Sequence, residues 1–550
     1  MHLASAQCSS GSASSISQWG ITYTFDRAYP CGTFANGDFW VTPTTTSGGK
    51  VKITQINPPY IASNGTNGWQ ANPISFTQQG LDNGTNSADQ FGSLSYSFSP
   101  ALVPALPYLA APNTSIVKCI SLLGPNRGQQ HYGALQTAGV LTVLASPPPA
   151  NSFRPAYFGA WSKKKFQSTN NLNTGLLQSL APVTGTPSLS EMLLKFQRVQ
   201  IDYLADWPVS HLHPLNNMAF YGAQFASDSG DAVLRLMLND PLASKMPLLI
   251  AYIQAGIDFA GMLDNGVTWG ANGGIFSGRK LPIVFAAALL GDTKMADLVR
   301  LAPYNTFQED GQIFYGTNAK RALWGQLCED GDYWKTGSVD ESNYVCRDPD
   351  GWIDGGWISN NYQQCCTSMA WKATALSIRL APQLQCIFNS PLFMDYVDRW
   401  VNFGYWSQPD HWTIQHTVAA PGGGRFPQFH GTAANTGGYV SDFSNNMWVA
   451  YRPNGVQATC NGNTPTTGTQ TTTTTAPATT TTTTAPATTT TTGATTATTT
   501  APATTTTGAT TTTGATTTGS TTNPTKAALL QEIQQVQDHL NNIRALVESM

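Results

Sequence analysis

The chain has 550 residues, a formal net charge of −3 and only 11% charged residues, against about 25% in a typical soluble domain. Its length exceeds one ordinary domain, and without a basic excess a nucleic-acid partner has no general electrostatic support. Few charges, 10% aromatics with 15 Trp and 19 Tyr, and abundant Gly, Thr and Asn suit an exported, sugar-handling protein better than a cytosolic one.

No run of about 18 or more apolar residues occurs, so no membrane span is expected. The opening MHLASAQCSS lacks an apolar signal core, so export is expected through a removed signal or another route. The other end has no apolar tail for a lipid-linked anchor. Of nine cysteines, Cys328, Cys346, Cys365, Cys366 and Cys386 crowd together as the disulfide candidates. No CxxC pair is present, against a zinc ribbon or thioredoxin motif, and the odd count leaves a thiol free or paired between chains. Sequons at Asn64, Asn83 and Asn113 fit an exported glycoprotein surface. The expected location is extracellular, on a cell surface or on a virion surface.

Residues 1–155 read as a β-rich, sandwich-like domain. In GITYTFD, Ile21, Tyr23 and Phe25 alternate onto one face, the period of a half-buried strand. ANGDFWV, KVKITQI and GVLTVLA add strands, and Pro147-Pro148-Pro149 closes the region. From about 188 the period changes. Leu189, Met192, Leu193, Phe196, Val199 and Tyr203 share one helical face, with Ser188 and Glu191 as a capping box. Further helices are predicted over 231–238, 246–263, 281–290, 366–381 and 391–401, the third of them apolar all round and therefore buried. Residues 156–402 thus read as an α-helical domain of hairpins, open or closed into a toroid. Residues 403–463 turn polar and aromatic, as a β or loop extension.

Residues 464–524 are nearly all Thr, Ala, Pro and Gly, and no charged residue occurs from Pro453 through Thr525. Such a tract cannot offset its ordering entropy by burial. It reads as a disordered, O-glycosylated stalk or as an unglycosylated linker. In 525–550, Leu529, Ile533, Val536, Leu540, Ile543, Val547 and Met550 step by four and three, a coiled-coil seam. β-branched residues at its d positions favour a trimer or tetramer over a parallel dimer. The alternative is a lone amphipathic helix docking on the head.

GANGGIFSGRKLPIVFAAALLGD, residues 270–292, has the outline of a phosphate loop. Gly273 and Gly278 have that spacing, but Arg279 and Lys280 stand where Lys and Ser or Thr are needed, and a helical segment precedes. A nucleotide is therefore excluded. Cations at a helix start oppose its dipole unless an anion is near. That anion is either a uronate or sulfated sugar, or an internal carboxylate such as Asp258 or Asp264. HLHPLNNMAFYG offers His213 and Tyr221 as proton carriers and Asn216 and Asn217 as amides for sugar or carboxylate; capping and packing roles are the alternative. His-x-His without a carboxylate or Cys at a supporting spacing makes neither a metal nor a cofactor expected. EDGDYW, DPDGWIDGGW and GYWSQPDHW mix acids with Trp. Trp352 and Asp354 of these segments, and Trp269 just ahead of the glycine loop, are candidates for gripping a glycan, with Asp350 and Asp354 as paired acids for hydrolysis.

WGITYTFDRAYPCGTFANGDFWV, GVLTVLASPPPANSFRPAYFG, HPLNNMAFYG, GGIFSGRKLPIVFAAALLGD and YQQCCTSMAWKATAL together resemble a family of large secreted proteins of environmental bacteria that has no assigned reaction. The resemblance covers roughly residues 19–400. It implies a helical part similar to the α/α-toroid modules of polysaccharide lyases. The family loop reads Gly-Gly-His-Gly-Ser-Gly-Arg-Lys, and Ile275 and Phe276 replace its His-Gly here.

Two functions follow. In one, the head cleaves an acidic polysaccharide by β-elimination. Arg279, Lys280 and Asn217 neutralise the uronate carboxylate, and Tyr221 or His213 moves the C5 proton. In the other, the head binds glycan or packs into a coat without turnover, displayed in several copies by stalk and coil.

Overall fold

The computed structural model describes residues 8, 11–84, 94–125, 127, 133–205, 212–218, 222–316, 320–325, 363–404, 439–455, 458 and 460. Tyr221, Cys328, Cys346, Trp352, Asp354, the Thr-rich tract and the heptad segment lie outside them.

The N-terminal strands are β1 (Ser12–Gln18), β2 (Ile21–Thr33), β3 (Phe39–Val41), β4 (Val51–Asn57), β5 (Trp69–Ala71), β6 (Tyr108–Ala110), β7 (Thr114–Ser121) and β8 (Leu135–Val143). They pair in the order β5-β7-β8-β3-β2-β4-β6, with β1 also on β2. Only β3 on β8 is parallel. The result is one curled mixed sheet, a half-barrel, rather than two stacked sheets. Its parts are joined by β2, which pairs with β1 between Ile21 and Pro30, with β4 over residues 22–25 and with β3 over residues 31–33. Register shifts at Ala13/Ser15 and Thr24/Phe25 bend it on the way, since an extra residue in one strand increases local twist.

Each face of the sheet has its own core. Ile21, Tyr23 and Phe25 are buried together, as their alternation predicts, with Ile116, Leu141 and Val143. The neighbouring residues Val117, Cys119, Ala138 and Val140 point the other way and join the core of the helices. The helical core therefore continues across residue 155, inside one compact unit.

The helices are α1 (Leu189–Phe196), α2 (Gly222–Leu236), α3 (Leu242–Leu263), α4 (Lys280–Leu290), α5 (Thr293–Arg300), α6 (Ser368–Leu380), α7 (Pro382–Phe388), α8 (Pro391–Phe403) and α9 (Asp442–Tyr451). The capping box at α1 forms: Ser188 Oγ accepts the Glu191 N–H at 3.1 Å and Glu191 Oε2 accepts the Ser188 N–H at 2.7 Å. α1 stops at Phe196, short of Tyr203. Residues 199–204 are all buried, Gln200 and Asp202 included, so a helical face is not what this non-helical run presents to the core. α4 is enclosed on all sides, as an all-apolar helix must be. α3 is long and apolar enough to cross a membrane by length and composition alone, and most of it is buried within the protein. α2 and α6 cross closely. A Cβ on Gly230 would stand 2.4 Å from that of Ala373, so only glycine allows this approach. The 439–455 segment, expected as strand or loop, contains α9, capped by Ser441 Oγ on the Ser444 N–H at 2.9 Å.

Arg154 ties sheet to helices. Its fully buried guanidinium bonds Asp38 at 2.6 Å and Asp258 at 3.0 Å. Disulfides join Cys8 to Cys31, Cys365 to Cys366 and Cys386 to Cys460, and Cys119 is a buried free thiol. Of the five crowded candidates, Cys386 thus reaches outside the cluster.

Candidate functional site

The glycine loop packs between helices and against a helical turn, Gln308–Gly311. Gly278 has φ +94°, and a Cβ there would lie 2.5 Å from Ala226 Cα on α2, so glycine is required twice over. The turn supplies the loop's hydrogen-bond partners. Gln308 Oε1 accepts the Phe276 N–H at 2.8 Å, and Glu309 Oε1 accepts the Gly278 N–H at 2.6 Å. Gln312 Nε2 donates to the Gly273 carbonyl at 3.2 Å. Where a phosphate loop offers its amides to a ligand, this one offers the Gly278 amide to the protein's own carboxylate. Burial pushes the Glu309 carboxyl up to about 7; Asp310 adds to the shift, while the Gly278 N–H and Lys280 oppose it. Its Oε2 has no hydrogen-bond partner among the described residues.

Arg279 caps the start of α4 but is only 6% exposed. Its Nε donates to Asp202 Oδ2 at 2.6 Å, its Nη1 to the Ser277 carbonyl at 2.7 Å, and the guanidinium lies 4.9 Å from the Phe225 ring centre. Lys280, 2% exposed, donates to both oxygens of Asp310 at 2.9 and 2.7 Å and sits 4.1 Å from the Phe388 ring centre. The anions that the helix start demands are therefore internal. They are Asp202 and Asp310, not Asp258 or Asp264. Asp258 serves Arg154, and Asp264 faces Lys294 at 2.8 Å. Burial raises the Asp202 carboxyl above the usual carboxylate range, with Arg279 pulling it back.

The other expected site residues are scattered by role. Trp269 is fully buried, stacks on Phe307 with ring centres 6.0 Å apart and donates its indole N–H to the Asp202 carbonyl at 3.3 Å. It presents no face to a sugar. His213 is buried beside Pro214, which bridges Leu135 of β8. Asn217 is buried and donates to the Val199 carbonyl at 3.1 Å, while Asn216 is exposed and pairs with Gln136 through side chain and backbone. Arg279 makes its hydrogen bonds to Asp202 and Ser277, not to His213 or Asn217. Ile275 and Phe276, which replace the His-Gly of the resembled loop, are both buried. Asn113 is exposed, and Asn64 and Asn83 are half-buried. Among the described residues, no group of three or more His, Cys, Asp or Glu is arranged to hold a metal.

The residues that sequence reasoning missed here are Asp202, Glu309 and Asp310. The Glu-Asp dipeptide was the available signal. In a chain this poor in charge, adjacent acids flanked by Gln308 and Gln312 match the adjacent cations 279 and 280. Comparison with known proteins adds no relative: no protein-family model, no curated protein and no solved structure matches the chain.

Proposed function

We infer that this is an extracellular or particle-surface display protein: a glycan-binding head without turnover, carried on the Thr-rich stalk and gathered in several copies by the heptad segment. One observation carries the reading. The two cations that would neutralise a uronate beside 213–221 are each taken up by a buried or half-buried carboxylate, Arg279 by Asp202 and Lys280 by Asp310. Lowering the acidity barrier at C5 needs an unshared cation aimed at the substrate carboxylate, and this pair supplies none. The disulfides Cys8–Cys31 and Cys386–Cys460 support an oxidising compartment. The resemblance to secreted bacterial proteins supports the same location. The close pairing of α2 with α6 supports a toroid-like arrangement as the finer description of the helices.

The test is to incubate the full chain with a panel of acidic polysaccharides and follow both capture of the polymer and the ultraviolet absorbance of unsaturated sugar ends. Capture without growth of absorbance is expected. Absorbance that grows with time, and that is lost in His213→Ala or Tyr221→Phe, would return the head to the lyase reading.

A further inference from the structure

The cations that remain available lie elsewhere. Lys163, Lys164 and Lys165 follow Trp161 on and after a short 3-10 turn, Trp161–Lys163. With Lys294 at the start of α5 they rim a depression of about 60 Å³ whose floor includes Phe158, Ile257, Ala260 and Met295. The facing acids are Asp264 and Asp292. Lys294 reaches Asp264 at 2.8 Å, Lys163 stands 4.0 Å from the same carboxylate, and Lys165 pairs with Asp292. Four ammonium groups thus stand against two carboxylates. Five other cations are each matched by carboxylate: Arg127 with Asp82, Arg154 with Asp38 and Asp258, Arg279 with Asp202, Lys280 with Asp310, Arg235 with Asp240. Those cations are also buried, whereas the side chains of Lys163, Lys165 and Lys294 are 42%, 53% and 57% exposed.

From this excess of exposed positive charge around a small apolar-floored depression, we propose that the Lys163–Lys164–Lys165–Lys294 pocket is the head's binding site for a carboxylated or sulfated polysaccharide. The inference rests on the glycan-binding reading above and moves its site away from Arg279 and Lys280. The lysines and the apolar floor lie together in this depression, which suits an acidic substituent entering beside the lysines. The aromatics next to the lysines in sequence are Trp161, half-buried, and Phe166, 41% exposed, and a sugar ring would rest on one of them. Lys164 is the deepest of the four. It donates to the Tyr157 carbonyl at 3.1 Å and to Ser115 Oγ at 3.4 Å, and lies 5.1 Å from the Trp161 ring centre. Burial first, and Arg154 second, push its ammonium down to about 7, with Asp258 opposing; a bound anion relieves that cost. Binding of this kind weakens with salt, because exposed charges are screened over about 8 Å at physiological ionic strength.

The experiment measures binding of the full chain to polygalacturonate, dextran sulfate and neutral dextran, for the wild type, K163Q/K165Q/K294Q and a control, K50Q/K320Q, that removes exposed lysines elsewhere. The triple variant should bind whichever polyanion the wild type binds at least ~10-fold more weakly, as three partly exposed charge contacts imply. The control should bind as the wild type does, and neutral dextran should bind to none. Comparing the two polyanions tells whether carboxylate or sulfate is preferred. K294Q alone, at the most exposed of the three, should weaken binding about three-fold and keeps the test valid if the triple variant unfolds. Equal binding by triple variant and wild type overturns the pocket but leaves the glycan reading standing. A wild-type chain that captures none of the three polymers overturns both, and one that captures neutral dextran as well as the polyanions overturns the charged pocket alone.

Discussion

Glu309 accepts the backbone N–H of Gly278 at 2.6 Å, so the loop that looks built for phosphate is closed on a carboxyl group of the same chain. That group titrates at about 7 rather than at 4.5, chiefly because it is buried. A carboxyl whose native value is raised binds more protons in the folded than in the unfolded state between those limits. Its contribution to stability is therefore fully present below about 4.5 and is lost as pH rises through about 7. The loss is on the order of 3 kcal/mol. Glu309→Gln retains an oxygen for the Gly278 N–H and removes the titration. The difference in unfolding free energy between wild type and variant, from urea melts, should move in favour of the variant between pH 4.5 and 8. A difference that stays flat over that interval means Glu309 is not the buried acid described.

Asp202 and Arg279 make a second prediction. Breaking a buried pair from one side leaves an uncompensated charge, at a cost of about 3–5 kcal/mol. Asp202→Ala should lose stability on that scale, whereas D202L/R279M, which removes both charges, should recover most of it. The double variant also separates structure from function. If Arg279 only holds the loop, polysaccharide binding by D202L/R279M equals that of the wild type. A folded double variant that no longer binds would place the guanidinium at the ligand.

Much of this fold was legible in the sequence because local signals and tertiary packing agreed. The alternation Ile21, Tyr23, Phe25 and the capping box of Ser188 with Glu191 are local signals, and both are present as expected. The all-apolar 281–290 segment could only be buried, and it is. The reading failed where a continuously buried non-helical run carries on the helical spacing, as at Val199 to Tyr203, and where composition stood in for pattern, as at α9. Curling of the sheet was not legible, since it depends on one long strand changing partners midway. At the site, the need for an anion beside Arg279 and Lys280 was legible. Its source was not, because Asp202 and Asp310 lie 77 and 30 residues away in sequence and only the fold brings them in.

The bond between Cys386 and Cys460 closes 74 residues and fastens the head a few positions before the Thr-rich tract begins. In the chain-entropy account a loop of that length restrains the unfolded state by about 4 kcal/mol. Cys460→Ser should lower the melting temperature of the head measured without reductant, and adding reductant should lower the wild type toward it. Because Cys119 is buried and unpaired, Cys119→Ser should leave the difference between oxidised and reduced melts unchanged. A Cys460→Ser head that melts with the wild type under oxidising conditions would show that this bridge does not restrain the chain.

The proposed display in several copies rests on the heptad spacing of Leu529, Ile533, Val536, Leu540, Ile543, Val547 and Met550 in the sequence. A seam of about three heptads is marginal in isolation, so its assembly should be visible as concentration-dependent mass. Light scattering of the full chain at micromolar concentration should give three or four copies. Deleting 526–550, or introducing Ile533→Asp with Leu540→Asp, should give one. The consequence for binding is larger than for stability. A single pocket of exposed lysines holds a polyanion weakly, and tethered copies raise the apparent affinity for a surface by on the order of 100-fold or more without any new contact. Capture on a polygalacturonate-coated surface should therefore collapse in the deletion variant, while its affinity for short soluble oligomers stays the same. If the full chain is already monomeric, or if both affinities fall together, the coil does not act by gathering heads.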